Sequence, residues 1–387
     1  MKKLLLFLLL TCLTSFAKAQ WQQTTLPSTE TIRCFAAVGS NIFAGTDIHG
    51  VYTSTNNGVN WTQVNNGLTC TYPQCFAVSG TNLYTATSGG GVFLSTDNGA
   101  DWSAINTGLP DINCYSVAIS GTNVYAGSNH TVYYSSNSGT SWTAVANGLT
   151  DNYYFTIAII SSDIFTGTYS DGVFLSSNSG TNWAPVNSGM TNDTVWTLAA
   201  KGTSLYAGTH GNGIFLSTNN GTSWTAVNNG LTSLYVRSIL VDGTRLIAAT
   251  QGGGVFLSNN NGALWTPINT GLTNLVMWSL GKCGPYLYAG TFDAGVWRRS
   301  FSELYGIDEI NEDSRITVYP NPAIDIITIK SAQKATMEII NIQGQTILQQ
   351  QLQQGKTDID ISGIAKGIYI LRINCNDKTE VTRIVKE

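Results

Sequence analysis

A short motif, in which an aromatic or aliphatic residue is followed by small residues, recurs seven times along this 387-residue chain at intervals of 40 or 41 residues. The copies begin at Phe43, Tyr84, Tyr125, Phe165, Tyr206, Ile247 and Tyr288. A period of roughly 40 to 45 residues made of short β-type segments is typical of a β-propeller, in which each repeat forms one four-stranded blade. The spacing therefore predicts an all-β fold with a seven-bladed β-propeller over residues 20–300.

A second motif, of the form Ser-x-(Asp/Asn)-x-Gly-x-x-Trp, occurs six times in register with the first. Its copies span Ser54–Trp61, Ser95–Trp102, Ser135–Trp142, Ser176–Trp183, Ser217–Trp224 and Ser258–Trp265. The Asp or Asn can accept hydrogen bonds from nearby backbone N–H groups, and the Gly supplies a backbone position that a side chain would obstruct. We interpret the motif as a turn that leads a tryptophan into the core of each blade.

These six copies resemble the Asp-box, or BNR repeat, of sialidase-like, sortilin-like and photosystem-assembly-factor-like propellers, over about residues 21–300. The resemblance implies that the Asp-box turns lie on one face of the ring. The loops between strands four and one, and between strands two and three, then gather on the other face. Because the motif occurs in families with unrelated activities, it implies a fold and no particular reaction.

The N-terminal strand is predicted to complete the last blade. The repeat that begins at Tyr288 ends after Gly295–Ser300 without an Asp-box turn or a fourth strand. Trp21 lies 22 residues before Phe43, close to the 23 residues that separate a blade's tryptophan from the start of the next first motif elsewhere in the chain. We therefore expect Trp21–Thr25 to pair with Gly295–Ser300 and close the ring, because closure removes exposed strand edges.

Residues 1–19 have the pattern of a secretory signal peptide: Lys2 and Lys3, the apolar run Leu4–Leu10, and a small-x-small cleavage site at Ala17–Ala19. Cys12 leaves a lipoprotein as the alternative. After cleavage we expect no integral membrane segment. Residues 20–300 contain only seven Lys or Arg and eleven Asp or Glu, in a chain of net charge −4, so the composition predicts no nucleic-acid partner.

Six cysteines follow the signal sequence: Cys34, Cys70, Cys75, Cys114, Cys283 and Cys375. Export permits disulfides, and the repeat register brings Cys75 within reach of Cys34 or Cys114 across a blade boundary. Packing as small buried apolar residues is the alternative. No cysteine and histidine spacing typical of a zinc site occurs, and we predict no metal and no cofactor.

The composition changes after Ser300. Residues 301–316 are acidic and read as a linker, and residues 317–387 alternate between strand patterns and turns, as expected for a small immunoglobulin-like β-sandwich. Four segments, Val318–Ile329, Ile339–Ile347, Ile361–Ile373 and Thr382–Lys386, resemble the type A sorting domain of the Bacteroidetes type IX secretion system. The sorting motif residues are Pro320, Asn321, Pro322, Gly344 and Gly367.

This resemblance implies Sec-dependent export to the periplasm, recognition of residues 317–387 by the type IX secretion machinery, and a final place outside the cell or on its outer-membrane surface. An ordinary accessory immunoglobulin-like module is the alternative interpretation of this segment.

Candidate ligand-binding residues are those that depart from the repeat. Two tryptophans that the Asp-box pattern does not explain share one template position just before the inner strand. The residues at that position in the seven repeats are Arg33, Gln74, Tyr115, Phe155, Trp196, Arg237 and Trp278, and Tyr72, Tyr153 and Tyr235 stand two residues earlier in three of them. Aromatic rings among Arg and Gln suit the recognition of a glycan or a peptide. Packing between blades is the alternative.

The sequence therefore predicts a secreted or cell-surface binding or adhesion module, expected to be monomeric, with a glycan or peptide ligand. A polysaccharide-active glycoside hydrolase or lyase is the second hypothesis, because the predicted loops carry aspartates, but no two of them are paired by the sequence. A structural surface protein is the third. His49, His130 and His210 fall in the loops of alternate blades, which argues against a shared metal or acid–base site.

Overall fold

The computed structural model describes residues 20–26, 30–304, 317–331, 334–341, 343–375 and 378–387. The chain divides into two compact units, the first ending at Leu304 and the second beginning at Tyr305. The predicted signal peptide (residues 1–19) and most of the predicted acidic linker (residues 305–316) lie outside the described residues.

The first unit contains seven four-stranded antiparallel sheets, numbered here in chain order. Sheet 1 comprises β2 (Ile32–Val38), β3 (Asn41–Thr46), β4 (Val51–Ser54) and β5 (Thr62–Gln63). Sheet 2 comprises β6 (Pro73–Ser79), β7 (Asn82–Thr87), β8 (Gly91–Ser95) and β9 (Ser103–Ala104). Sheet 3 comprises β10 (Cys114–Ser120), β11 (Asn123–Ser128), β12 (Val132–Ser135) and β13 (Thr143–Ala144).

The next three sheets repeat this arrangement. Sheet 4 comprises β14 (Tyr154–Ile160), β15 (Asp163–Thr168), β16 (Val173–Ser176) and β17 (Ala184–Pro185). Sheet 5 comprises β18 (Val195–Lys201), β19 (Ser204–Thr209), β20 (Ile214–Ser217) and β21 (Thr225–Ala226). Sheet 6 comprises β22 (Val236–Asp242), β23 (Arg245–Thr250), β24 (Gly254–Ser258) and β25 (Thr266–Pro267).

Sheet 7 joins the two ends of the first unit. It comprises β26 (Met277–Cys283), β27 (Tyr286–Thr291), β28 (Val296–Ser300) and, beyond β28, the N-terminal β1 (Gln22–Gln23). Gln22 pairs with Arg298 and Gln23 with Trp297. A short helix α1 (Phe301–Leu304) follows β28.

The first strand of each sheet, here called its inner strand, packs against the inner strands of the neighbouring sheets. These strands are β2, β6, β10, β14, β18, β22 and β26, and β26 contacts β2. The inner strands therefore form a continuous cycle of contacts. The hydrophobic core is divided among clusters that span neighbouring sheets, as in the cluster of Tyr84, Val117 and Trp142.

The repeated sequence motifs make the same hydrogen bonds in sheet after sheet. The hydroxyl that ends the first motif donates to a carbonyl oxygen near the start of the third strand, as from Thr209 to Gly213 at 2.9 Å. Equivalent bonds come from Thr46, Thr87, Ser128, Thr168, Thr250 and Thr291. These hydrogen bonds stabilise the turn between the second and third strands of each sheet.

The second motif ties each sheet to the preceding one. In the copy that starts at Ser95, the Ser95 hydroxyl accepts from the backbone N–H of Gly99 at 2.8 Å, and Asp97 accepts from that of Asp101 at 3.0 Å. The indole N–H of Trp102 donates to the carbonyl of Val64 in the preceding repeat at 2.9 Å. Each tryptophan is thus buried against a neighbouring sheet, which accounts for the motif by packing.

The second unit contains seven strands in two sheets. One sheet has the order β29 (Thr317–Tyr319), β30 (Ile326–Ser331), β33 (Gly355–Asp360), and the other has the order β32 (Thr346–Leu352), β31 (Ala335–Ile340), β34 (Gly367–Cys375), β35 (Lys378–Lys386). Ile327, Ile359, Ile339 and Leu371, drawn from both sheets, belong to one buried cluster. The two sheets therefore share a hydrophobic core.

Cys34, Cys70, Cys75, Cys114 and Cys283 are free thiols. Cys34, Cys114 and Cys283 are buried, as expected for the packing alternative, whereas Cys70 and Cys75 are partly buried. Burial raises the pKa of the Cys34 thiol well above its ordinary value, and the nearby Cys75 adds to this effect.

Candidate functional site

Each of the seven sheets contributes to one cavity of about 500 Å³, here called the central cavity. All seven residues at the shared template position line it, namely Arg33, Gln74, Tyr115, Phe155, Trp196, Arg237 and Trp278. Each of these side chains is half-buried. The structure thus brings together the side chains that the repeat register placed in equivalent positions.

A β-bulge occurs at this position in every inner strand. In sheet 5, Val195 pairs with Thr209 and Thr197 with Gly208, so Trp196 has no partner on the second strand. The same register shift falls at the lining residue of the other six sheets. A bulge bends its strand and redirects a side chain, and bulges are frequent beside functional sites. Here they present one residue of each sheet to the central cavity.

Four of these side chains stack on one side of the cavity, and we call them the Arg–Trp stack: Arg33, Trp278, Arg237 and Trp196. The guanidinium carbon of Arg237 lies 3.2 Å from the ring centroid of Trp196 and 3.8 Å from that of Trp278. The guanidinium carbon of Arg33 lies 4.8 Å from the Trp278 centroid. Arginine stacks well on aromatic faces, so the rings hold both guanidinium groups in place.

The two arginines differ in their polar partners. Arg33 Nε donates to Asp47 Oδ1 at 2.8 Å. Arg237 donates from Nη2 to Gln251 Oε1 at 3.3 Å, while its buried Nε has no hydrogen-bond partner among the described residues. Burial, and then the charge of Arg33, lowers the pKa of Arg237 to about 9, so the group is cationic at neutral pH.

The opposite side of the cavity is aromatic. The ring of Tyr115 makes edge contacts with Phe155 at 5.6 Å and with Tyr153 at 6.0 Å between centroids, and Tyr169 makes edge contacts with both Phe155 and Tyr153. The Tyr115 hydroxyl donates to Asn129 Oδ1 at 2.6 Å. The cavity therefore has a cationic side and an aromatic side.

The three tyrosines that precede the lining residues lie outside the cavity lining. Tyr72, Tyr153 and Tyr235 are exposed. Tyr153 packs on the aromatic side of the cavity, whereas Tyr235 contacts the ring of His210, which in turn lies 4.4 Å from the Trp196 centroid. Burial, and then the charge of Arg237, lowers the pKa of His210.

Sequence reasoning missed the deeper part of the lining and the neighbours of the stack. Phe35, Phe76, Thr156, Thr197 and Ser238 also line the cavity. Their positions, one or two residues after the shared template position, are the signal that could have identified them. His210 and Gln251 are the neighbours of the Arg–Trp stack. Each lies in the loop between the second and third strands of its sheet and contacts a stacked side chain.

The histidines and loop aspartates do not gather into one site. His49 pairs with Glu30 at 2.7 Å, and His130 pairs with Asp111 at 3.1 Å. Within the described ranges, no group of three His, Cys, Asp or Glu side chains could hold a metal ion. A second cavity of about 380 Å³ contains Asp171 and Asp193.

In the second unit, the predicted sorting motif residues lie in turns and beside a strand. Asn321, between Pro320 and Pro322, donates from Nδ2 to the carbonyl of Arg383 at 2.8 Å and accepts from the N–H of Val385 at 2.9 Å. These bonds hold it to β35. Gly344 adopts a φ of 82° in the turn between β31 and β32, and Gly367 begins β34.

The models of two protein families each match a part of the chain. Residues 317–387 match the secretion system C-terminal sorting domain, and residues 9–123 match the DUF6242 β-propeller domain. The sorting domain of the type IX system indicates export to the cell surface or the extracellular space, and it implies handling by the secretion machinery. Among the described residues, no helix has the length and apolar character needed to span a membrane.

Solved structures with similar folds are propellers or contain them. YCF48 from Cyanidioschyzon merolae has a TM-score of 0.59 at 15% identity, covering 73% of this chain and 100% of that chain. A structure of YCF48 bound to D1 peptide has a TM-score of 0.59 at 14% identity, covering 74% and 98%. The extracellular domain of the hybrid two component system BT3049 from B. thetaiotaomicron has a TM-score of 0.62 at 12% identity, covering 95% and 57%.

These likenesses show an all-β propeller fold, which confirms the predicted fold class at that level. None of the curated proteins compared with this chain is significantly similar to it.

Proposed function

We propose that residues 20–300 form a seven-bladed Asp-box propeller closed by its own N-terminal strand, and that this propeller is a secreted or cell-surface binding module. The seven four-stranded sheets, the cycle of inner strands and the pairing of β1 with β28 support the ring. We further propose that the C-terminal unit is an immunoglobulin-like sandwich that serves as the export signal. The ligand of the propeller is a glycan or a peptide, and it binds in the central cavity.

One observation carries the binding proposal: seven bulges direct seven half-buried side chains into a single cavity. Packing of the hydrophobic core does not require a cluster of partly exposed Trp, Tyr, Phe and Arg side chains at equivalent positions. Such side chains are the types that dominate the energy of binding sites. Binding residues are often carried on loops that a rigid scaffold holds in place. The YCF48 structure with D1 peptide is an example of a similar fold that binds a ligand.

A polysaccharide-active hydrolase is the second candidate, and the second cavity favours it. Glycoside hydrolases use two carboxylates flanking the scissile bond. The described residues that line the central cavity include no Asp or Glu, whereas Asp171 and Asp193 both border the second cavity. A hydrolytic reaction would therefore depend on the second cavity.

The test is a screen of the purified mature protein against glycan and peptide arrays, with a reducing-sugar assay run on the same polysaccharides. We expect retention on at least one ligand without release of reducing ends. Release of reducing ends by the wild type, abolished in Asp171→Asn and Asp193→Asn, would favour the hydrolase. The absence of any retained ligand would contradict the binding proposal.

A further inference from the structure

The charge lining the central cavity is of one sign. Among the described residues that line it, only Arg33 and Arg237 have side chains that are ordinarily charged at neutral pH. This contrasts with the chain as a whole, which has a net charge of −4. A cationic cavity in an acidic protein attracts anions to one place on its surface.

The two arginines are not equally neutralised. Arg33 has a carboxylate partner in Asp47, 2.8 Å away. No carboxylate of the described residues lies within 4.0 Å of the Arg237 side-chain nitrogens. A cation that is partly removed from water is costly unless a partner compensates for it. Two indole faces and one amide oxygen supply part of that compensation, and an anionic ligand group would supply the rest.

The stack also prepares the site for binding. Trp196 and Trp278 hold the guanidinium of Arg237 between them, so little side-chain freedom is lost when a ligand binds. The planar guanidinium group matches the geometry of a carboxylate, to which it can donate two parallel hydrogen bonds. The geometry therefore suits the planar carboxylate of a ligand.

The remaining lining residues fit a sugar. Hydroxyls of Thr156, Thr197 and Ser238 and the amide of Gln74 surround the cavity and can exchange hydrogen bonds with ligand hydroxyls. The half-buried rings of Tyr115 and Phe155 offer apolar faces across from the arginines. A ligand with a carboxylate at one end and a pyranose ring at the other would meet both sides of the cavity.

We propose that the central cavity recognises an acidic glycan and seats the carboxylate of a uronic acid residue against Arg237 and Arg33. This inference rests on the proposed binding function and specifies its ligand class. The neutral rings of the glycan lie toward Tyr115 and Phe155.

The experiment compares short oligomers of galacturonate, glucuronate and mannuronate with their methyl esters, using isothermal titration calorimetry on the mature protein. The esters keep the sugar rings and remove the charge, so the comparison needs no variant. We expect at least one acid to bind, and its ester to bind at least about tenfold more weakly, as for the loss of a charge-assisted hydrogen bond. An oligoglutamate peptide and neutral oligosaccharides complete the panel.

Arg237→Met tests the residue that carries the argument. It should reduce the difference between acid and ester at least several-fold, with Arg33 left as the remaining cation. Arg245→Met removes the same charge from the far end of the inner hairpin of sheet 6 and should leave binding unchanged. Melting temperatures identify a variant that has lost its fold, in which case the acid and ester comparison on the wild type decides alone.

Each other outcome overturns the inference in a recognisable way. Equal binding of acid and ester, or binding of neutral oligosaccharides alone, contradicts the anionic site and leaves the proposed binding function standing. Stronger binding of oligoglutamate than of any uronate would make the ligand an acidic peptide. Binding to none of the panel overturns this inference, and the broader array then decides whether the proposed function fails as well.

Discussion

Asp151 shows how a single residue fixes the surroundings of the central cavity. It is buried in the loop before sheet 4, and its carboxylate accepts from the backbone N–H groups of Asn152, Tyr153, Ser170 and Asp171. Burial alone would raise its pKa, but these hydrogen bonds outweigh burial, and the pKa of Asp151 lies below its ordinary value. The carboxylate therefore holds together two loops that carry Tyr153 and Tyr169.

Replacing Asp151 with Asn should lower the free energy of unfolding by about 1–3 kcal/mol at neutral pH, because several buried N–H groups lose an ionic acceptor. Since the folded-state pKa is lowered, the stabilisation is present above the unfolded value of about 3.9 and is lost as pH falls through the folded pKa. The difference in Tm between wild type and variant should therefore shrink in acid. Asp193→Asn, at an exposed carboxylate before sheet 5, is the control. A difference that grows in acid would contradict the account.

At the scale of elements, neighbouring sheets pack closely because small residues of one sheet lie against larger residues of the next sheet. A Cβ on Gly208 of sheet 5 would lie 2.6 Å from Thr197 Cγ2 and 2.8 Å from Val236 Cγ1 of sheet 6. The same motif position is Ala in two sheets. There the next inner strand begins with an unbranched residue: Ala86 shares a core cluster with Cys114, and Ala249 with Met277.

Gly208→Ala should lower the free energy of unfolding by about 1–3 kcal/mol, because the added methyl group has no space between Thr197 and Val236. Combining it with Val236→Cys, which imitates the Ala86 and Cys114 pair, should recover part of that loss. The measurement is a double-mutant cycle from denaturant unfolding. Additive losses would mean that the small residue and the inner strand of the next sheet are not matched.

The N-terminal strand is the element that joins the two ends of the first unit. Trp21 is buried, its indole N–H donates to Ile268 O at 2.6 Å and its backbone N–H donates to Thr270 O at 2.9 Å. Deleting residues 20–25 should cost about 3–5 kcal/mol from the lost tryptophan alone and expose the edge of β28. Trp21→Ala separates the two effects. An unchanged Tm after the deletion would refute the proposed ring closure.

The sequence predicted much of the fold and of the site because both repeat with one period. Equal spacing placed Arg33, Trp196, Arg237 and Trp278 at one template position, and the structure puts them in one cavity. The bulge that turns each of them inward was not predictable, because it depends on how two strands pair and not on composition. The stacking of Arg237 between two indoles follows only once the sheets are known to be consecutive around the cavity. Likewise, no local sequence pattern predicts that Asp151 accepts hydrogen bonds from a second loop.

At the scale of the whole molecule, the export signal and the proposed binding site belong to different units of the chain. The second unit matches a sorting domain and has its own hydrophobic core, while the described residues that line the central cavity belong to the first unit. A unit with its own core can fold by itself.

A variant that ends at Leu304, the last residue of the first unit, and keeps residues 1–19 should fold but accumulate in the periplasm of the native host. The measurement is the distribution of protein among periplasm, surface and medium, with the full chain as reference. Asn321→Ala, which removes the clamp on β35, should reduce export to a smaller extent. Surface or medium levels of the truncated variant equal to those of the full chain would show that residues 317–387 are not the export signal.

The central claim is that the central cavity binds the ligand, and one pair of measurements tests it directly: Tm and ligand affinity of the Trp196→Ala/Trp278→Ala double variant. Aromatic anchors in a binding site commonly cost more than about 1 kcal/mol each on truncation, so affinity should fall at least several-fold, while Tm should fall much less than on loss of a fully buried tryptophan. Trp265→Ala, at a buried Asp-box tryptophan, should show the opposite pattern, with a large loss of stability and unchanged affinity of the folded protein. A large fall in Tm without a change in affinity in the double variant would contradict the account.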